Sequence, residues 1–228
     1  MNAPTIWIVV PAIIAILLFF ITNPRSLSLI GGSVAIILAL TAQFIPIEEA
    51  FRLGALSIKI DSSLNILGRA LQIQPAQGSL LTLIYGAVAL WLFSSEAAKS
   101  SIRLVPLGLL ITSIMIASIA AKPFLFAALF IEIAVLLAIP LLTNINSSPG
   151  KGAIRFLIYQ TLAMPFILLS GWLLSGVEAS PGDIALASQS ASMLGLGFAF
   201  LLAIFPLYSW IPMLIDETSP FIAVFTCD

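Results

Sequence analysis

The sequence contains no histidine, and only 8% of its 228 residues are charged. The absence of histidine excludes a His-ligated metal site and any catalytic pair of serine or cysteine with histidine. The single cysteine, Cys227, has no second cysteine with which to form an internal disulfide. Because the formal net charge is only -1, a surface that binds a polyanion is not expected, and nucleic acid is not a predicted partner.

Hydrophobic residues, by contrast, make up 61% of the chain, and the mean hydropathy is +1.17. Ordinary soluble domains contain about 45–50% apolar residues, so the composition predicts an integral membrane protein surrounded by the lipid bilayer. No lysine or arginine precedes the first apolar run, residues 6–21. That run therefore lacks the basic region of a cleavable signal peptide and is predicted to be a retained transmembrane helix.

Seven apolar runs are predicted to cross the membrane as helices, because most approach the ~20 residues that a hydrocarbon core of ~30 Å requires. The runs are residues 6–21, 27–45, 78–93, 104–121, 123–142, 153–174 and 192–211. An eighth helix is predicted to begin at Pro220. The predicted fold is an all-α polytopic bundle of about seven transmembrane helices, formed by a single domain over residues 1–228.

Basic residues in alternate short loops predict the orientation of the chain. The loops after the first, third and fifth spans carry Arg25, Lys99, Arg103, Lys151 and Arg155. By the positive-inside rule these loops face the cytoplasm, and the N-terminus faces outward. In the long second loop, residues 46–77, the alternation of apolar and polar residues over residues 56–60 predicts a short strand.

One carboxylate is predicted to lie near the middle of the membrane. Glu132 follows Pro123 by about nine residues in the fifth span, which places it ~14 Å along the helix. A central carboxylate costs roughly 2.5–3.5 kcal/mol to insert, so Glu132 is expected to face a partner or water. It is interpreted as an ion or proton site, or alternatively as a protonated group that links two helices.

Three further features surround this predicted proton site. Arg155, near the start of the sixth span, either reaches the headgroups or approaches the Glu132 helix. Pro206 and Pro212 predict a broken seventh helix, and broken membrane helices often line cavities. Tyr208, between these prolines, either offers a hydroxyl to that cavity or belongs to an interfacial aromatic belt. The predicted proton path therefore consists of Glu132, Arg155 and Tyr208.

The string PLYSWIPMLIDETSPF resembles the signature that follows the broken seventh helix in antiporter-like subunits of respiratory complex I and of Mrp-type cation/proton antiporters. The matching positions are Pro206, Ser209, Trp210, Pro212 and Pro220. Upstream, Glu132 corresponds to the glutamate on the fifth helix of this family, and Arg155 corresponds to the basic start of its sixth helix. The resemblance covers the N-terminal half of the family's 14-helix fold.

The resemblance implies a membrane-arm subunit of an NADH-quinone oxidoreductase that takes part in proton translocation coupled to electron transfer. It implies other membrane subunits as partners and an energy-transducing membrane: a bacterial inner membrane, a thylakoid or a mitochondrial inner membrane. No catalytic site, metal or cofactor is predicted in this chain, so any redox chemistry would belong to other subunits.

Three positions depart from the family pattern. The family's lysine, five residues before the first signature proline, is replaced by Leu201, its histidine by Tyr208, and an aspartate by Met213. In the family, the glutamate and the lysine form an ion pair that rearranges during proton release. The alternatives are therefore a non-conducting structural subunit, a subunit of an Mrp-type Na⁺/H⁺ antiporter or membrane-bound hydrogenase, and an unrelated transporter in which Glu132 binds a cation.

Overall fold

The computed structural model of the protein describes residues 2–45, 47–48, 50–53, 56–66, 69–143, 150–179, 182–204 and 206–227, without the side chain of Cys227. Within these residues, five helices are long and apolar enough to cross a membrane: Pro24–Phe44, Pro75–Ser94, Leu125–Leu142, Lys151–Val177 and Ile184–Leu201. Two shorter apolar helices cover Thr5–Leu18 and Leu104–Ala120. The predicted class, a helical membrane protein, therefore agrees with the structure.

The chain forms two compact units, Met1–Lys122 and Pro123–Asp228. In the first unit, a π-helical segment leads into the first of four α-helices, and α4 packs against α1, α2 and α3. The segment is Thr5–Val9, and the helices are α1 (Val10–Leu18), α2 (Pro24–Phe44), α3 (Gly78–Ser94) and α4 (Leu104–Ala120). The first helix ends at Leu18, so the predicted end at residue 21 is wrong.

The start of α2 is determined by local side chains. Pro24 takes the first helical position, where its missing N–H costs no helical hydrogen bond. The side chain of Asn23 accepts a hydrogen bond from the backbone N–H of Arg25 at 3.1 Å. Arg25 also pairs with Glu96, Nε to Oε1 at 2.7 Å, so the loop after α1 lies beside the loop after α3.

Polar bonds to backbone carbonyls join the helices of the first unit. The Trp7 indole donates to the Leu38 carbonyl at 3.1 Å, and the buried Tyr85 hydroxyl donates to the Trp7 carbonyl. Ser28 donates to the Leu92 carbonyl at 2.8 Å. These bonds satisfy polar groups that lipid could not, and they connect the π-helical segment, α2 and α3.

Short strands follow α2 and end the first unit. The strands β1 (Ala50–Leu53) and β2 (Leu56–Lys59) form an antiparallel hairpin, so a strand is present where residues 56–60 predict one. A three-stranded antiparallel sheet, in the order β3-β4-β5, contains β3 (Ser63–Ile66), β4 (Arg69–Gln72) and β5 (Ala121–Lys122). The fold is therefore helical, with two small sheets added between α2 and α3 and after α4.

In the second unit, α6 packs against α5, α7 and α8. The helices are α5 (Leu125–Leu142), α6 (Lys151–Ala179), α7 (Ile184–Leu201), α8 (Trp210–Glu217) and α9 (Pro220–Cys227), with a 3₁₀ turn at Leu207–Ser209. A helix therefore begins at Pro220, and α6 remains one helix through Pro165. It extends to Ala179, beyond the predicted end at residue 174.

The predicted bounds of the seventh span, residues 192–211, are wrong at both ends. The helix begins at Ile184, because the Asp183 carboxylate accepts hydrogen bonds from the N–H groups of Ala185 and Leu186 at 3.0 and 3.2 Å. Polar residues follow inside the helix, where the Ser190 hydroxyl donates to the Ser170 carbonyl of α6 at 3.0 Å. Packing on α6 thus admits residues that an apolar run excludes.

Candidate functional site

The helices α5 and α6 approach closely because small residues line their contact. A Cβ atom on Gly171 would lie only 2.8 Å from the Leu125 Cα, so this glycine is required for the approach. Further along the pair, the fully buried Ala128 and Ala163 form one cluster with Ile167. This contact brings the middle of α5 beside the first half of α6.

Glu132 lies in this contact and binds Thr161. The Thr161 hydroxyl donates to Glu132 Oε1 at 3.0 Å. Glu132 is half-buried, whereas Thr161 is exposed on the surface of the second unit. Since Glu132 is separated from the start of α5 by about 10 Å of helix, the pair lies within the part of the helices that crosses the membrane.

Thr161 also offers an acceptor, because a proline follows it at the critical spacing. Pro165 lies four residues after Thr161 in α6 and has no N–H to donate to the Thr161 carbonyl. The same residue therefore presents a hydroxyl donor and a backbone carbonyl without its usual helical donor. An ionised Glu132 can accept from the hydroxyl, and a protonated Glu132 can donate to an acceptor of this kind.

A second polar contact joins α6 to the end of α7. The Gln160 side chain, only 7% exposed, donates through Nε2 to the Leu201 carbonyl at 3.2 Å. Earlier along α7, a Cβ on Gly197 would lie 2.7 Å from the Ile167 side chain, which shows how closely the two helices pack. The helix α7 therefore runs along the second half of α6 and ends beside Gln160.

The short helix α8 continues along the first half of α6. The Trp210 and Phe156 rings meet edge to face, with centroids 5.1 Å apart. At the other end of α8, Glu217 Oε2 accepts a hydrogen bond from the Gly152 N–H at 2.7 Å. Together α7 and α8 follow most of α6, so they form one discontinuous span that is interrupted between Leu201 and Trp210.

The interruption is produced by a helix cap in which alanine takes the left-handed position. Ala203 has φ +50°, and the N–H groups of Ala203 and Ile204 donate to the Phe200 and Ala199 carbonyls. This is the Schellman pattern, in which glycine usually holds the left-handed residue. Pro206 follows the cap, and Pro212 lies in the first turn of α8, where a missing N–H is tolerated.

Replacing Ala203 with valine is expected to destabilise the second unit by about 1–2 kcal/mol, because a β-branched residue is strained at positive φ. Ala203→Gly, the matched variant, relieves that strain and should leave the stability within about 1 kcal/mol of the original chain. Both are measured as free energies of unfolding in lipid bilayers. Equal stability of the valine and glycine variants would contradict the cap.

The structure brings together only part of the predicted proton path. Arg155 is exposed on α6 and makes no ion pair with Glu132 within 4 Å; across the described chain the one such pair is Arg25–Glu96. Tyr208 lies in the 3₁₀ turn and is 47% exposed. The direct partner of Glu132 is Thr161, which the sequence prediction did not include.

Two signals for the missing residues are present in the sequence. Gln160 and Thr161 are adjacent polar residues in an apolar span, and Pro165 follows Thr161 by four positions. Polar side chains beside a carbonyl freed by proline are candidates for bonds between membrane helices. The sequence does not show which of them faces α5 and which faces α7.

The described part of the second unit holds charged groups but no cluster suited to a metal. Nowhere in the described chain do three or more His, Cys, Asp or Glu side chains come together. The site therefore consists of one carboxyl group, a hydroxyl donor and an interrupted helix. No known protein family matches the chain, and comparisons with curated proteins and with solved structures also find no match.

Proposed function

We propose that this chain is a membrane subunit that takes part in proton translocation, as in the antiporter-like subunits of NADH-quinone oxidoreductase, and that Glu132 carries the proton. The observation that supports this proposal is the bond between Glu132 and Thr161 within the membrane-crossing part of α5 and α6. A carboxyl group at that depth costs roughly 2.5–3.5 kcal/mol to insert, and such groups usually mark ion or proton pathways.

The surroundings of Glu132 suit both of its protonation states. The Thr161 hydroxyl stabilises the ionised form at 3.0 Å, and the carbonyl released by Pro165 is an acceptor for the protonated form. A group that finds partners in both states exchanges a proton with little rearrangement of the helices. A purely structural carboxyl would need partners for only one state.

The helix arrangement supports the same proposal. If the two shorter apolar helices also cross the membrane, and α7 with α8 forms one discontinuous span, the chain has seven crossings. That number, with Glu132 on the fifth crossing and the interruption on the seventh, corresponds to the N-terminal half of an antiporter-like subunit. Discontinuous membrane helices line protein-enclosed or hydrated cavities, which a proton path needs.

Other membrane subunits are the proposed partners. Glu132 is half-buried and Thr161 is exposed, so part of this polar pair lies on the surface of the second unit. Exposure of the pair to lipid would be costly, and a neighbouring subunit would remove it from lipid. We place the assembly in an energy-transducing membrane, such as a bacterial inner, thylakoid or mitochondrial inner membrane, with electron transfer in other subunits.

A non-conducting structural subunit of the same kind of complex is the second candidate. Two observations favour it: no cation pairs with Glu132 among the described residues, and Leu201 occupies the position of the family's lysine. In that case the Glu132–Thr161 bond would only hold α5 against α6. A subunit of an Mrp-type Na⁺/H⁺ antiporter or membrane-bound hydrogenase would use the same carboxyl group with another parent complex.

A Glu132→Gln substitution tests the proposal, because glutamine keeps the acceptor oxygen for Thr161 and cannot carry a proton. Loss of a positioned proton carrier lowers proton transfer by about 100-fold or more, so translocation through this chain is expected to become undetectable. The measurement compares acidification with electron transfer in vesicles that contain the assembled complex.

Two controls accompany this experiment. Glu132→Asp retains a titratable carboxyl group and should retain part of the translocation. Glu96→Gln removes a carboxyl group that pairs with Arg25 in a loop, and it should leave translocation unchanged. Unchanged translocation in an assembled Glu132→Gln complex would contradict the proposal and support the structural candidate.

A further inference from the structure

The first turns of α6 carry two exposed cations on one face. Lys151 and Arg155 are four residues apart, a spacing that places their side chains beside each other on a helix. Neither pairs with a carboxylate within 4 Å in the described part of the chain. Like charges at this spacing repel each other, so the arrangement leaves a local excess of positive charge.

The carboxylate that reaches this end of α6 is engaged elsewhere. Glu217 directs Oε2 to the Gly152 N–H at 2.7 Å and thereby satisfies a backbone donor of the first turn. The N-terminus of a helix also carries a partial positive charge, which the two cations reinforce. An anion near Lys151 and Arg155 would therefore relieve the repulsion between all three.

The position of the two cations indicates where that anion lies. Lys151 is the first residue of the membrane-crossing segment Lys151–Val177, and Arg155 follows it by ~6 Å of helix. Both side chains can therefore extend to the headgroup region of the bilayer, where lipid phosphates are concentrated. The anions available at that depth are mainly lipid headgroups.

We propose that Lys151 and Arg155 form a binding site for the phosphate of an anionic phospholipid. The planar guanidinium of Arg155 can donate two parallel hydrogen bonds to phosphate oxygens, and Lys151 adds a compact positive charge. A zwitterionic headgroup carries its own ammonium, which offsets its phosphate, so the site selects a lipid with net negative charge. This binding does not depend on whether Glu132 carries protons.

A second pair of cations in the chain provides a matched comparison. Lys99 and Arg103 are also four residues apart, but they lie before α4 in the loop that contains Glu96. There the two cations do not share a helix face, and a carboxylate lies in the same loop. The same change in net charge can thus be made at either pair.

The experiment reconstitutes the full chain in phosphatidylcholine bilayers that contain a spin-labelled phosphatidylglycerol. Electron paramagnetic resonance measures the motionally restricted lipid, and hence the association of phosphatidylglycerol relative to phosphatidylcholine. Removal of each cation is expected to lower that relative association about fivefold, so the Lys151→Gln/Arg155→Gln variant should lose most of the preference. The matched Lys99→Gln/Arg103→Gln variant should lose far less.

Three further arms fix the interpretation. Lys151→Arg/Arg155→Lys keeps both charges and should keep the preference, and inorganic phosphate at millimolar concentration should not displace the lipid. Circular dichroism and the total restricted lipid confirm that each variant is folded in the bilayer. The site is rejected if the Lys151→Gln/Arg155→Gln variant keeps the preference, if both double variants lose it equally, or if inorganic phosphate removes it.

Discussion

Replacing Gly152 with valine is expected to lower the free energy of unfolding of the second unit by about 3 kcal/mol. A Cβ atom at this position would lie 2.6 Å from the Leu214 N and 2.7 Å from the Met213 carbonyl carbon. Both are backbone atoms of α8, so no side-chain rotation can relieve the overlap. The helix α8 must move away from α6, and the hydrogen bond from the Gly152 N–H to Glu217 is then lost.

The stability of this variant can be measured by reversible unfolding in lipid bilayers, and Trp210 reports the movement of α8. The Trp210 ring is 2% exposed and contacts Phe156, so its fluorescence should shift to longer wavelength when α8 separates from α6. Fluorescence is read in chains with Trp7, Trp91 and Trp172 replaced by phenylalanine.

Gly195→Ala is the matched control for Gly152→Val. No atom lies within 4 Å of a Cβ on Gly195, so alanine there should raise the stability of α7 by up to about 1 kcal/mol. A Gly152→Val chain with the original stability and an unshifted Trp210 spectrum would show that α8 does not pack on α6. The discontinuous span would then lose its support.

The apolar runs predict the helices well where hydrophobicity alone determines the boundary. α3 begins at Gly78 and α4 at Leu104, as predicted, because lipid requires continuous helical hydrogen bonding along an apolar segment. The prediction fails at Ile184, where the helix starts in a polar sequence. That start depends on the Asp183 cap and on the contact of Ser190 with Ser170, which hydropathy does not contain.

The interruption of the seventh span shows a different limit of sequence reasoning. Pro206 and Pro212 predict a break near their own positions, but the helix already ends at Leu201. The end is determined by Ala203 in a left-handed conformation, a position for which glycine would be the recognisable signal. An alanine at this position cannot be distinguished in sequence from an ordinary helical alanine.

For the candidate site, depth in the membrane is predictable but the choice of partner is not. The position of Glu132 near the middle of α5 follows from counting residues. Its contact with Thr161 rather than Arg155 depends on the rotation of α6, which the close approach of Gly171 to Leu125 determines. A basic residue two helical turns away is therefore a weaker prediction than a polar residue at the same depth.

In the first unit, Tyr85→Ala is expected to lower the free energy of unfolding by about 3 kcal/mol or more, because it removes a large side chain that is fully buried. Tyr85→Phe separates packing from hydrogen bonding. Phenylalanine keeps the ring but removes the hydroxyl that donates to the Trp7 carbonyl in the π-helical segment. Polar bonds between membrane helices contribute about 0.6 kcal/mol on average, so the phenylalanine variant should lose much less stability.

Leu83→Ala on the same helix is the control for the alanine substitution, because Leu83 is 68% exposed and its removal should cost less than about 1 kcal/mol. Unfolding in bilayers measures all three variants. If Tyr85→Phe loses nearly as much stability as Tyr85→Ala, the hydroxyl bond to the Trp7 carbonyl holds α3 against the π-helical segment. If only Tyr85→Ala is destabilised, close packing of the ring holds these elements together, and the hydroxyl mainly satisfies a carbonyl that lipid could not.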